Sequence, residues 1–441
     1  MTQITDPVIQ QELIYRRLGF GVDQSSISTQ SAITPQSAIS SLLGVPAQTN
    51  LTQPQPAGLT TTQQLDLTKK SHNKAQVAAL LRQVRSEEFP AIVVWWLNEM
   101  VATTYPLLEK MALLWHGHFA TAISKVRLAS LMLNQNNTIR ANALGNFSTL
   151  TNSLAQDPAM MIWLDTVTNT AGKPNENFGR ELMERFTIGV GNYQQSDVYN
   201  AARAFTGWRF NPNTNAFEVI AARHDNGTKT FLGTTGNLSG QDVIAIILAH
   251  PQSSQFIASS LFSTLAYPIS QTDPIAIELG SSFAKTKDIA ALVGAIANRP
   301  EFLTNQTLNG LVKQPVEYLV GAMKALKITL DPNSSKQIMS ILSLFGQKPF
   351  DPPNVGGWPQ NYYWLSTATS QTRASVANIL ASVGNISTVS DAVPSARADA
   401  TISLLGISHA SSQTRASLTR SSNDPVATVA LALCSPEYTC N

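Results

Sequence analysis

The chain has 441 residues, of which 30 are Lys or Arg and 28 are Asp or Glu, so its formal charge is +2 and only 13% of it is charged. Ser, Thr, Asn and Gln number 140, while 43% of the residues are apolar, enough to bury a large core beneath a surface of uncharged polar groups. That balance excludes a disordered chain and a disulfide-held miniprotein, and it argues against electrostatic binding to nucleic acid or anionic lipid.

The start, Met1-Thr-Gln-Ile-Thr-Asp-Pro7, has neither a basic nor an apolar signal region, and no stretch approaches the length of a transmembrane segment. The hydroxyl- and amide-rich composition leans towards a periplasmic or extracellular protein, and the missing signal keeps a cytoplasmic one open. Residues 7–20 read as a helix with Val8, Leu13, Ile14 and Leu18 near one face and Gly19 just past its end. Residues 46–66, rich in Pro, Thr and Gln, read as a surface loop or linker. The period is helical from Leu67 to about Leu154.

Within that run stands Trp115-His116-Gly117-His118-Phe119. Histidines at i and i+2 do not share a helical face, so they converge as metal ligands only if Gly117 breaks the helix. The structural alternative is a pair of interfacial histidines at a helix end.

The segment 172–233 is the most distinctive. Pro174 and Asn175 open a helix and Gly189 or Gly191 closes it, placing Glu181 and Glu184 side by side at i and i+3. Neighbouring carboxylates suit a divalent metal or a shared proton; otherwise Glu181 pairs with Arg185 in an ion network that includes Arg180 and Arg203. Ala216–Ile220 and Thr228–Leu232 flank Asn226-Gly227, a dipeptide that suits a type I′ turn, which predicts one hairpin over about residues 216–232. On its tip, Asp225 suits the turn and His224 is free to reach towards the second segment.

Helical periodicity returns from Gly240 to about Leu330. Residues 344–372 form an ordered Pro/Gly/aromatic loop, since Phe350, Trp358, Tyr362, Tyr363 and Trp364 belong out of water. The tail is helical with a Ser/Thr-rich interruption at 407–424, and its two cysteines, Cys434 and Cys440, are either a terminal disulfide or free thiols. The fold class read from this order is mainly α: one large multi-helix domain with a small β-hairpin. The motifs of serine hydrolases, P-loop nucleotide hydrolases and zincins are absent.

Several motifs resemble those of the bacterial domain-of-unknown-function 1800 family. They are Tyr15-Arg-Arg-Leu-Gly-Phe-Gly-Val22, Trp115–Phe119, Gln156-Asp-Pro-Ala-Met160, Pro174–Glu184, Gly189–Tyr193, Ala202–Trp208, His224–Gly233, Val312-Lys-Gln-Pro-Val-Glu317 and Pro352-Pro-Asn-Val-Gly-Gly-Trp358. The resemblance implies an α-rich protein without an established activity, often exported and encoded beside a sulfatase-like protein that becomes a candidate partner. It also implies that the polar motif residues form one site. On the enzyme reading, His116, His118, Glu176, Glu181, Glu184 and His224 converge in a cleft. Glu181, Glu184, His224 and Arg203 are the catalytic candidates, and Trp115, Trp208, Trp358 and Asn177 the substrate-binding ones. His116, His118 and Glu181 are the candidate ligands of a divalent metal. The result would be a metal-dependent or carboxylate/His hydrolase of the cell envelope. The competing reading is a non-enzymatic structural or binding protein that self-associates or acts with a partner.

Overall fold

A computed structural model describes residues 2–22, 33–45, 51–56, 62 and 74–440. Several of its helices open on an acid followed by proline. Asp6–Pro7, Asp157–Pro158, Asp273–Pro274 and Asp424–Pro425 each pair a carboxylate that accepts first-turn N–H groups with a ring already set to a helical φ. Part of the chain's scarce acid is thus spent on caps. Helix α1 (Pro7–Arg17) ends at the C-cap Leu18, which puts Gly19 where the sequence placed it. The 46–66 stretch is described only at 51–56 and 62, where Trp95 donates its indole N–H to Thr52 O at 2.9 Å; the rest of it, and 67–73, lie outside the described residues.

Two helices form the centre. α2 (Phe89–Ala102) is apolar nearly all round, and α3 (Pro106–His118) is buried over most of its length. A fully apolar helix is stable only when covered on all sides, and α4 (Ala129–Asn142), α5 (Pro315–Ala325) and α6 (Ser335–Phe345) supply part of that cover. One hydrophobic cluster runs from Ile14 to Tyr438. The Ser/Thr-rich stretch expected to interrupt the tail contains a helix, Ser412–Ser421, whose Leu418 is buried. Ser411 caps it, so the hydroxyls that read as a break act as a start signal.

The chain is mainly α, and its small β content differs from expectation in pairing. β1 (Trp208–Phe210) pairs with β2 (Phe217–Val219), and β3 (Lys229–Phe231) with β4 (Thr234–Gly236). The two expected arms therefore do not pair with each other. The type I′ signature belongs to Leu232 and Gly233, at φ +44° and +82°. Leu232 is held in this unusual state by its N–H, which reaches Asp197 Oδ1 at 2.8 Å. Asn226-Gly227 sits in an Asx turn, Gly227 N–H donating to Asp225 Oδ1 at 2.8 Å.

The 344–372 loop is ordered, with Phe350, Trp358 and Trp364 buried. Tyr362 and Tyr363, expected inside, are 66% and 64% exposed and stack on each other at 4.6 Å. The cause is a 3₁₀ turn over Asn361–Trp364, in which i and i+3 eclipse. Asn361 binds the Val312 N–H and Trp364 enters the core, leaving the two residues between them outside. Cys434 and Cys440 are free thiols, with no disulfide between them.

Candidate functional site

Gly117 does not break α3, which continues to His118, so the two histidines diverge. His116 is 1% exposed, and its Nε2 accepts the Phe350 N–H at 2.8 Å. Its ring meets Trp96, Phe350 and Trp358 at 5.3, 5.1 and 5.6 Å between centroids. The proton is therefore on Nδ1, which is buried without a partner. His118 turns the other way and donates from Nε2 to Phe186 O at 2.9 Å, leaving Nδ1 as an acceptor. Burial holds His116 down at about 3 and His118 at about 4, so both are neutral near pH 7. Among the described residues no group of three His, Cys, Asp or Glu side chains is arranged to hold a metal ion. The expected donor set of His116, His118 and Glu181 is not assembled, because a buried aromatic cage and a backbone N–H have claimed His116.

The carboxylate segment is bent as well. The helix Asn177–Glu181 passes into a π turn, Leu182–Thr187, and the chain then turns at Gly189 with φ +80°. A π turn rotates the residues after it out of α-helical register, a device common at functional sites. Glu184 lies on the wall of a cleft, its Oε2 accepting the Tyr193 hydroxyl at 2.9 Å and its Oε1 3.2 Å from Arg185 Nη2. Glu181 sits behind it with Oε2 buried and unbonded, 4.0 Å from Arg185 Nε. Burial raises the proton affinity of Glu181, and the Glu184 carboxylate raises it further, against Arg185 and Arg180.

The cleft has a volume of about 290 Å³. α3 contributes Lys110, Gly117 and His118, the π turn Glu184 and Arg185, and the helix Pro251–Leu265 Phe256, Ser260 and Thr264. The start of α5 brings Gln314 and Glu317, and the aromatic loop Gly356, Trp358 and Gln360. A smaller cavity of about 70 Å³ shares Thr264, Gln314, Glu317 and Gln360 with it. Glu317 closes a capping box with Gln314, whose N–H it accepts at 3.1 Å, and forms a buried ion pair with Lys110. Trp358 reaches its place because two glycines touch. A Cβ on Gly357, at φ +76°, would come closer to the Gly117 carbonyl oxygen than the 3.0 Å that real Cβ atoms keep.

The other expected site residues lie elsewhere. Arg203 forms a two-pronged ion pair with Asp225, Nε to Oδ2 at 2.7 Å and Nη2 to Oδ1 at 3.2 Å, and also binds Thr228 O. His224 donates from Nδ1 to Thr206 O at 2.9 Å, and the buried Lys229 binds Asp225 O at 2.6 Å. These groups satisfy one another and tie the strands to the helix Gln195–Ala204; none lines the cleft. Glu176 binds Arg180 and Gln195, and Asn177 bonds Asp165. Trp115 and Trp208 are each 1% exposed core residues, Trp115 bonding Ala143 O and Trp208 packing on Phe205 and Phe217. Of the expected residues, His118, Glu184 and Trp358 meet in the cleft, with Glu181 behind. Lys110, Gln314 and Glu317 line the cleft too, though none stands among the expected site residues. Their signals were a Glu-Lys pair inside the apolar run of α3 and a Gln-Pro-Val-Glu helix start.

The buried histidine makes stability depend on pH. His116 binds a proton at about 3 when folded but at 6.5 when unfolded, so between these values the unfolded state holds more protons. Its contribution is complete above pH 6.5 and is lost as pH falls towards 3. The stability gap between the wild type and His116→Gln, measured by urea denaturation at intervals from pH 7 to 4, is expected to shrink by about 1.4 kcal/mol per pH unit below pH 6. A gap independent of pH would mean that His116 is not held neutral.

Fold and cleft together define an α-rich protein with an aromatic-walled polar cleft built from segments distant in sequence. The chain belongs to the family described as Protein of unknown function (DUF1800), whose model matches residues 13–440. No curated protein and no solved structure is significantly similar to it. Among the described residues no helix is long and apolar enough to cross a membrane.

Proposed function

We propose that the cleft beneath Trp358 is a hydrolase-type site for a polar, ring-bearing ligand, with a saccharide as the class its walls suit best. One observation carries this reading. Segments around residues 117, 184, 314 and 358, far apart in sequence and each within or beside a motif of the family resemblance, bring side chains to one cavity. Trp358 and Phe256 offer apolar faces, while Gln314, Gln360, Ser260 and Thr264 offer uncharged hydrogen-bonding groups. Glu184 is the wall carboxylate oriented by Tyr193 and Arg185, the other, Glu317, being held by Lys110, and burial makes Glu181 behind Glu184 hold a proton more readily than an ordinary carboxyl. A periplasmic or extracellular setting goes with this reading, since hydroxyls and amides dominate the chain's polar residues.

The test is a panel of 4-nitrophenyl glycosides. Nitrophenolate release is expected from at least one, reduced by about 10²–10⁴ in Glu184→Gln with the melting temperature retained. No release from any glycoside, or equal release by the variant, removes the enzyme reading. The exposed Tyr362–Tyr363 stack favours the alternative, a binding protein with a macromolecular partner such as the sulfatase-like one. Co-elution with that partner in size-exclusion chromatography, lost in Tyr362→Ser/Tyr363→Ser, with no release from any glycoside, would be its signature.

A further inference from the structure

A second cavity, of about 530 Å³, shares no lining residue with the cleft. Its floor is apolar, with Val84, Phe89 and Ile123 buried and Met339 half-buried. Its rim is basic: Arg85, Arg127, Lys336 and Lys348 stand against a single carboxylate, Asp351, which Lys348 already holds at 3.0 Å. The side chains of Arg85, Arg127 and Lys336 make no hydrogen bond or ion pair with any described residue. In a chain whose whole formal charge is +2, this excess is local. Two departures from regular backbone shape the same cavity. Val84 and Arg85 lie in a π turn, Val84–Glu88, and Arg127 is held left-handed at φ +61° past the short helix Ile123–Val126. Such conformations cost energy and concentrate where a site needs a side chain aimed off the regular course.

We propose that this cavity binds a monomeric amphipathic carboxylate. Its alkyl chain lies on Val84, Phe89, Ile123 and Met339, and its head group lies among Arg85, Arg127 and Lys336. Charge complementarity selects the head group, since three unpaired cations repel a cationic amphiphile and leave a neutral one without compensation. The apolar floor selects the tail, and the volume lies within the ~300–1,000 Å³ usual for small-ligand sites. The cavity is separate from the cleft, so the inference stands whatever chemistry the cleft performs.

Isothermal titration of the full chain with dodecanoate, kept below its micellar concentration, is the test. Binding of one dodecanoate per chain is expected, with no binding of butyrate, which has the head without the tail, or of dodecyltrimethylammonium, which has the tail with the opposite charge. The double charge reversal Arg127→Glu/Lys336→Glu should weaken dodecanoate at least about tenfold, while the charge-keeping Arg127→Lys/Lys336→Arg retains most of it. Met339→Trp should abolish it by filling the floor, and an unchanged melting temperature would show that the variant is folded. Equal binding of the two dodecyl compounds overturns the proposal, as does indifference to charge reversal. Binding to phosphatidylglycerol vesicles with none to monomeric dodecanoate would assign the basic rim to a lipid surface and overturn it too.

Discussion

Glu109→Ala is expected to destabilise the protein by about 3–5 kcal/mol, the usual result of removing one partner from a buried ion pair. Glu109 is fully buried on α3 and accepts three hydrogen bonds. Arg140 of α4 supplies two, one from Nε at 2.9 Å and a shorter one from Nη2, and the indole N–H of Trp96 on α2 supplies the third at 2.9 Å. Truncation leaves the guanidinium, itself 7% exposed, without a counter-charge and strands the indole N–H as well. Urea denaturation should show a lower midpoint with an unchanged slope. The double replacement Glu109→Leu/Arg140→Leu should recover much of the loss, because no charge is then left buried. A loss below about 1 kcal/mol for Glu109→Ala would place the pair in the solvated class instead.

Gly357→Ala carries the second large effect, and it bears directly on the cleft. The added methyl has nowhere to go, since the Gly117 carbonyl it meets belongs to α3 and cannot give way without moving the helix. The left-handed φ of +76° adds roughly 1–2 kcal/mol of its own. Gly191→Ala separates the two causes. It has φ +87° but nothing within 4 Å of its Cβ, so it should show the backbone strain alone. Gly357→Ala is expected to exceed it by about 1–3 kcal/mol in thermal or urea denaturation, the usual scale of overpacking. It should also expose the 350–358 loop to limited proteolysis, because the loop that seats Trp358 comes away from α3. Equal losses in the two variants would mean that the contact between Gly117 and Gly357 does not hold the loop.

These two effects differ in how far the sequence announces them. The Gly-Gly-Trp run and the Trp-His-Gly-His-Phe run are both visibly special, yet nothing in either shows that Gly357 meets Gly117, 240 residues earlier in the chain. Asn226-Gly227 shows the opposite failure. Its local preference for a hairpin turn was genuine, but each flanking strand found a closer partner on its outer side, and Asp225 drew Gly227 into an Asx turn. Composition places Tyr362 and Tyr363 in the interior, whereas a 3₁₀ turn decides which aromatic of the cluster enters. The divergence of His116 and His118 was legible in their spacing, and only the expected break at Gly117 obscured it.

By itself the sequence determined the mainly α class, several helix starts through their Asp–Pro and Ser caps, the family, and the short stretches where polar motifs break a charge-poor chain. These are local properties: periodicity, cap chemistry and backbone preference act over a few residues. Only the tertiary structure decided which motifs share a cavity. It sent Arg203 and His224 to a structural tie, enclosed His116 in aromatic rings, and brought Lys110 and Glu317 to the cleft beside Glu184. Each of those assignments depends on which distant group answers a buried hydrogen-bonding atom or charge. That partner is fixed by packing across the whole chain, because a buried polar group left unanswered costs more than any local preference can return.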